Sequence, residues 1–142
     1  MAATGYAPTA ADAQRTLHYS YPGVAAQVRR ARRDVASVLD GCPAADVVEL
    51  CACEVITNAV LHSRSGLPGG HFTVDVTIVA SGRVEVRVTD DGGPWRAVTR
   101  RDDDGDACGR GLGIVAALTT SMGISTEVGA RTVWFICAWS AS

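Results

Sequence analysis

Two polar residues, Glu54 and Asn58, lie in an otherwise small and apolar segment of this 142-residue chain. Residues four apart stack on one face of a helix, so a helix over residues 47–63 would project both side chains together. A buried carboxylate is costly unless it finds a partner or a ligand, or takes up a proton. The pair therefore predicts a polar pocket against this helix.

A further acid, Asp90, ends a run in which three valines of residues 84–88 alternate with polar residues. Such alternation is typical of a strand with one face on a core, and Asp90 is the next residue on the valine face. Its side chain is predicted to point to the buried side of the strand end. Gly92 follows in an Asp-Asp-Gly-Gly-Pro turn. The alternative explanation of Asp90 is an ordinary turn acid that caps backbone amides.

A glycine-rich segment comes later in the chain and reads Gly109-Arg110-Gly111-Leu112-Gly113. Glycines let the backbone approach a phosphate, and the first amides of a helix point at an anion. The segment is not a P-loop, because no Lys-Ser or Lys-Thr follows it. It is not a dinucleotide fingerprint either, because a charged stretch stands where a strand is required. With the Asp-Gly turn, it predicts that the pocket binds a nucleotide with its metal.

Hydrophobic periodicity and helix-breaking residues predict the elements that would position these residues. In chain order they are an edge strand (17–21), two helices (24–39 and 47–63), two strands (72–78 and 84–90) joined by a turn at 80–82, a polar loop (95–108), a helix (114–122) and a final hairpin of two strands (125–128 and 132–139). A loop as long as residues 95–108 inside a compact domain is usually a functional lid or a disordered segment.

The first predicted helix has an apolar stripe on one side and arginines on the other. The stripe consists of Val24, Val28, Ala31, Val35, Val38 and Leu39, and the arginines are Arg29, Arg30, Arg32 and Arg33. The stripe is expected to be buried. The arginines are explained either by a solvated face or by a docking surface for an acidic partner.

Length and composition indicate one globular domain, predicted over residues 15–142, after a flexible arm over residues 1–14. A net charge of -2 gives no electrostatic case for binding nucleic acid or an anionic membrane. No apolar run approaches the roughly 20 residues of a membrane helix, and residues 1–12 lack the pattern of a secretory signal. The chain is therefore expected to be cytoplasmic.

The five cysteines, at positions 42, 51, 53, 108 and 137, are an odd number without the spacing of a zinc site. Cys51 and Cys53 are two apart on a predicted helix and would face different ways. We expect all five to be reduced thiols that serve as small core residues.

Four motifs in this order resemble the GHKL, or Bergerat-fold, ATPase family: Glu54-x-x-x-Asn58, Asp90-x-Gly92, Gly109-x-Gly111-x-Gly113 and a late Thr132 in a strand. Within the family the chain is most similar to the anti-sigma-factor serine kinases of the RsbW type, over nearly its whole length. The resemblance implies an α/β (α+β) two-layer sandwich, with a mixed, mostly antiparallel sheet and three helices on one face. A lid would span about residues 93–110.

The resemblance also implies roles for individual residues. Asn58 would coordinate the Mg²⁺ that bridges the phosphates, and Glu54 would be the catalytic base or position the nucleophile. Asp90 would accept a hydrogen bond from the adenine amino group, with Gly92 letting the ring lie close. The remaining ATP-binding residues would be the phosphate-cradling Gly109, Arg110, Gly111, Leu112 and Gly113, and Thr132 near the adenine. The chain departs from the family at Pro94, where many members have a glycine, which is expected to stiffen the lid hinge.

The activity implied is transfer of phosphate from ATP to a serine or threonine of a small anti-anti-sigma (STAS-like) protein. The resemblance also implies a homodimer and sequestration of a sigma factor, for which the arginine face of residues 29–33 is the candidate surface. Two alternatives are an ATP-binding regulatory module without kinase activity and the catalytic half of a sensor histidine kinase. The histidine kinase would need an upstream helix pair with a phosphoacceptor histidine, and only His18 precedes the first helix.

Overall fold

The computed structural model describes residues 14–79, 82–93 and 112–139. Its elements are β1 (Gln14–Pro22), α1 (Ala25–Val38), α2 (Ala45–Leu61), a 3-10 turn (Arg64–Gly66), β2 (His71–Val79), β3 (Arg83–Asp90), α3 (Leu112–Leu118), β4 (Ser121–Glu127) and β5 (Ala130–Ala138). The predicted arm apart from Gln14, the predicted lid beyond Gly93, and Gly109, Arg110 and Gly111 lie outside the described residues.

The five strands form one open sheet in the order β1-β2-β3-β5-β4, and all four described strand pairs are antiparallel. Antiparallel neighbours can be joined by short turns, as β2 and β3 are through Gly82, whose positive φ of 130° suits glycine. The predicted edge position of the first strand is confirmed, because β1 pairs only with β2 among the described strands.

The three helices cover one face of the sheet, and the core lies between the two layers. Alternate residues of β2 and β3 are buried, as their sequence alternation predicts, while the residues between them are partly or fully exposed. The exposed face carries polar pairs such as His18 with Asp75 and Arg87 with Glu85. This arrangement confirms the predicted two-layer sandwich.

Helix α1 buries Ala31 and Val35, and Leu39 just after it is also buried. The predicted stripe is wrong at Val24, which is 54% exposed because it is the extended residue that precedes the helix. Tyr21 of β1 stacks on Phe72, and its hydroxyl donates a hydrogen bond of 2.8 Å to Asp34 of α1. This contact ties the edge strand to the helix layer.

Helix α2 is buried on nearly all sides because it packs between α1 and α3 and against the sheet. Its apolar character around most of the circumference is typical of a largely buried helix, and Asp46 and Glu49 near its start are exposed. The side chains of Glu54 and Asn58 are therefore surrounded by protein and not by water, as the sequence predicts.

Helix α3 ends at Leu118, four residues before the predicted end at Met122. Met122 instead belongs to β4, where it pairs with Phe135, and Thr120 donates a backbone hydrogen bond to Ile136. Pairing with β5 gives these backbone groups sheet partners and overrides the local apolar pattern. Strand β4 accordingly begins at Ser121, earlier than predicted.

The expectation of five reduced thiols is wrong at Cys53, which is disulfide-bonded. Cys42, Cys51 and Cys137 are free and buried, as expected of small core residues. Burial raises the pKa of Cys51 to about 12. No helix in the described ranges is long and apolar enough to cross a membrane.

Candidate functional site

Glu54 and Asn58 lie one turn apart on α2 and are 1% and 4% exposed. The Asn58 side-chain amide donates a hydrogen bond of 3.3 Å to the backbone oxygen of Glu54. Because the two ends of a carboxamide diverge, this bond turns the amide oxygen away from the helix backbone. The two side chains thus present a carboxylate and an amide oxygen from the same face of a buried helix.

Asp90 ends β3 on the core face and is 3% exposed. Its Oδ1 accepts a hydrogen bond of 2.7 Å from the backbone N–H of Gly92. Burial raises the pKa of Asp90, while the Gly92 hydrogen bond and the charge of Arg131 act in the opposite direction. The capping bond predicted by the simpler explanation is therefore present, and the acid also points to the buried side, as the strand pattern predicts.

The residues after Asp90 form a turn that only glycine fits well. Gly92 and Gly93 have φ values of 71° and 108°, in the region that L side chains rarely adopt. A Cβ on Gly92 would also lie 3.2 Å from the backbone nitrogen of Ala130, and one on Gly93 would meet the side chain of Arg64. The turn is consequently pressed against both the β4–β5 connection and the segment that follows α2.

A buried serine, Ser65, fixes this turn to the end of α2. Its hydroxyl donates to the backbone oxygen of His71 at 2.6 Å and accepts from the backbone nitrogen of Asp91 at 2.8 Å. Asp91 in turn accepts from the backbone nitrogen of His71 at 2.9 Å, and Arg64 donates its backbone N–H to Gly92 at 2.8 Å. The 3-10 turn therefore sets the position of the Asp90 turn relative to the helix that carries Asn58.

The role of Ser65 was not predicted from the sequence. Ser65 lies in a Ser-Arg-Ser-Gly stretch that reads as a simple helix stop. Its role depends on the close approach of two distant backbones. A Cβ on Gly23 would lie 1.8 Å from the Ser65 backbone oxygen, and one on Gly70 would lie 2.2 Å from it. Gly23 and Gly70 are therefore the sequence features that could have indicated the close approach of backbones at Ser65.

The structure does not bring Thr132 to Asp90. Directly opposed residues of an antiparallel pair share a face, and Thr132 lies opposite Thr89, with their hydroxyls 2.9 Å apart. That face is the one away from the helices. Arg131 lies opposite Asp90 instead. The alternation of buried Val133, Phe135 and Cys137 already places Arg131, not Thr132, on the inner face.

Two of the five predicted phosphate-cradling residues are described. Leu112 begins α3 and is buried, and Gly113 is exposed with nothing within 4 Å of an added Cβ. Helix α3 packs on α2, the helix that carries Glu54 and Asn58. The phosphate-binding role of the whole segment remains a prediction.

Oxygen ligands suit Mg²⁺, and the amide oxygen of Asn58 supplies one. In the described ranges, no group of three or more His, Cys, Asp or Glu residues is placed to hold a metal ion by itself. A single protein ligand is nevertheless sufficient for an ion that phosphate oxygens and water complete. The residues present therefore fit a nucleotide-borne metal rather than a metal held by protein alone.

Away from this site, a groove of about 540 Å³ runs between α1 and α2. Its lining is Arg29, Arg32, Arg33 and Ala36 from α1, and Asp46, Glu49, Leu50 and Cys53 from α2. Arg30 contacts the Tyr19 ring, at 5.0 Å from its centroid, and Asp34, at 3.9 Å. The three lining arginines form no salt bridge with another described residue.

Comparison with known proteins identifies a family and solved structures of similar fold. A family model for the histidine kinase-like ATPase domain matches residues 21–137. Among solved structures, the RsbU and RsbW domains of Rv1364c from Mycobacterium tuberculosis match with a TM-score of 0.62 and 18% identity. The match covers 87% of this chain and 32% of that one, so this chain spans about a third of its length. At 18% identity, this structural match shows the fold alone. No curated protein matches.

Proposed function

The chain belongs to the histidine kinase-like ATPase family, and on that premise we propose that it binds ATP with Mg²⁺ and phosphorylates a serine or threonine of a small STAS-like partner. The observation that carries the proposal is that Glu54 and Asn58 on α2 and Asp90 at the end of β3 are buried polar residues on two elements that pack against each other. Buried polar groups of this kind are costly to the fold, and a ligand that uses them explains their presence.

Each residue has a role that its surroundings support. The Asp90 carboxylate accepts a hydrogen bond from the adenine amino group, and its Oδ1 is already oriented by Gly92. The Asn58 amide oxygen holds Mg²⁺, which when bound neutralises charge on the phosphates. Glu54 accepts the proton of the attacking hydroxyl, or orients that hydroxyl, from a position that excludes water.

The test separates nucleotide binding from transfer. Glu54→Gln keeps the shape of the side chain but removes the base, so we expect phosphate transfer to fall by about 10²-fold or more while ATP affinity holds. Asp90→Asn should instead weaken ATP binding. Thr77→Val, on the face of β2 away from the helices, is the control and should change neither.

The readouts are calorimetry with Mg·ATP and label transfer from γ-labelled ATP to purified candidate STAS-like proteins. Transfer by Glu54→Gln at the parent rate would refute the kinase proposal. ATP binding without transfer to any protein would favour the alternative, a regulatory module that uses ATP only as a conformational ligand. Absence of ATP binding would refute both.

We propose that the groove between α1 and α2 receives an acidic segment of the partner, either the STAS-like protein or a sigma factor. Arg29, Arg32 and Arg33 outnumber the groove acids Asp46 and Glu49, and all three are exposed. Charge complementarity of this type steers association and weakens with salt. A homodimer remains a prediction from the family resemblance.

Charge reversal tests this surface. Arg32→Glu should weaken partner binding about tenfold, and the loss should shrink as salt is raised. Arg83→Glu is the matched control, because Arg83 is an exposed arginine at the start of β3, away from the groove. Equal effects of the two substitutions in a binding titration would show that net charge, not the groove, matters.

A further inference from the structure

Strand register places Arg131 of β5 directly opposite Asp90 of β3. Side chains opposed in an antiparallel pair lie on the same face, with their Cβ atoms about 5 Å apart. The guanidinium is half-buried, and its Nη2 donates a hydrogen bond of 3.3 Å to the backbone oxygen of Gly93. Arg131 is therefore anchored to the turn that Asp90 begins, on the side of the sheet where the nucleotide is proposed to bind.

An ionised carboxylate as buried as Asp90 is unfavourable unless positive charge or donors surround it. Protonation of Asp90 would convert its carboxylate from a charge-assisted hydrogen-bond acceptor into a weaker acceptor that also donates. The amino group of adenine is a donor and needs the acceptor. The Gly92 N–H supplies one donor. Arg131 is the only cationic residue among the contributors to the electrostatics of Asp90 in the described part of the chain.

The other charged groups near this turn do not substitute for Arg131. Asp91 is adjacent and disfavours ionisation of Asp90, although its own carboxylate accepts from His71. The Arg64 side chain packs on Gly93, whereas the residue opposite Asp90 is Arg131. Glu54 on α2 is a second buried acid.

On the basis of the proposed nucleotide site, we propose that Arg131 is a positioning residue that keeps Asp90 ionised, so that the carboxylate can accept the 6-amino group of adenine at neutral pH. Arg131 acts through Asp90 and does not itself contact the base. The position that the sequence resemblance gives to a threonine hydroxyl is thus taken by a cation with an electrostatic role.

The experiment measures the affinity for Mg·ATP by calorimetry from about pH 5 to about pH 8. We expect Arg131→Met to move the loss of affinity on acidification to higher pH, with binding about tenfold weaker than that of the parent near pH 6. Arg131→Lys keeps the charge and should restore most of the parent profile. Ionisation of the phosphates is the same for every variant and cancels in the comparison.

Purine riboside triphosphate, which lacks the 6-amino group, distinguishes action through Asp90 from direct contact with the phosphates. We expect the parent and Arg131→Met to bind it equally. Equal losses for both nucleotides, or a pH profile unchanged by Arg131→Met, would overturn the proposal. If Arg131→Met does not fold, Arg131→Gln is measured in its place. An Arg131→Lys variant that binds ATP as weakly as the neutral variant would also overturn the proposal. Failure of the parent to bind ATP at any pH would instead refute the proposed function.

Discussion

Burial of Asp90 lowers the stability of the ligand-free protein at neutral pH, at the position where the nucleotide is proposed to bind. Burial raises its pKa above the ordinary value of 3.8, so the folded chain holds this proton more tightly than the unfolded chain does. The contribution of Asp90 to stability is therefore complete below about that pH and falls as the pH rises through the raised pKa. At neutral pH the ionised carboxylate opposes folding of the ligand-free protein.

Asp90→Asn should consequently raise the free energy of unfolding of the ligand-free protein at neutral pH, by about 1 kcal/mol. The gain should disappear as the pH falls below 3.8, where Asp90 becomes protonated in the folded and unfolded chains alike. Urea unfolding at several pH values checks this, with Asp75→Asn, a substitution on the exposed face of the sheet, as the control. A variant less stable than the parent at neutral pH would contradict it.

The residues that line the site were predictable to different degrees. Helical spacing predicted Glu54 and Asn58, and strand parity predicted the orientation of Asp90, because both periodicities are local. Thr132 was assigned by resemblance alone. The β3–β5 register places it opposite Thr89 and not opposite Asp90, and its role near the adenine remains a prediction. Strand parity places Arg131 on the core face of β5. Its position opposite Asp90 depends on the β3–β5 register, which pairs residues about 40 positions apart in the sequence.

At the scale of elements, the 3-10 turn Arg64–Gly66 is the part that connects α2 to the Asp90 turn. Sequence patterns predicted a break at this point but not a contact, because the partners of Ser65 are backbone groups of residues 71 and 91. The same limit explains the end of α3: only pairing with β5 reveals that Met122 is a strand residue.

Ser65→Ala should destabilise the protein by about 2 kcal/mol, because a buried donor and a buried acceptor of the backbone lose their partner. It should also weaken ATP binding, since the Asp90 turn loses an anchor. Ser20→Ala is the matched control: its hydroxyl bonds to Thr73 on the exposed face, and its removal should cost under about 0.5 kcal/mol. Thermal unfolding and calorimetry give the two readouts, and equal effects of the two substitutions would rule out a special role for Ser65.

At the scale of the whole molecule, the sheet order β1-β2-β3-β5-β4 places β5 in the interior, between β3 and β4. The hairpins were predictable from turns, whereas the insertion of β5 beside β3 was not predicted, because it pairs segments that are distant in the sequence. Phe135 is fully buried on this strand, opposite Val86 on one side and Met122 on the other. It therefore holds three strands and the helix layer together.

Phe135→Ala should reduce the free energy of unfolding by about 3–5 kcal/mol, the usual effect of deleting a buried aromatic ring. Saturating Mg·ATP should recover part of the loss, because a ligand that binds only the folded chain stabilises it by mass action. Ile136→Ala, on the other face of the same strand and only partly buried, should cost clearly less. Urea unfolding with and without nucleotide measures both effects, and an equal cost for the two substitutions would contradict the assignment of the core face.

The interior position of β5 also bears on how the protein is made. A nascent chain that has emerged only as far as β4 has Glu54, Asn58 and Asp90 but leaves β3 as an open edge without Arg131. Unpaired edges invite association between chains, and pairings between distant segments form slowly. Until β5 pairs with β3, that edge stays open to association with other chains, and the site lacks the cation that is proposed to keep Asp90 ionised.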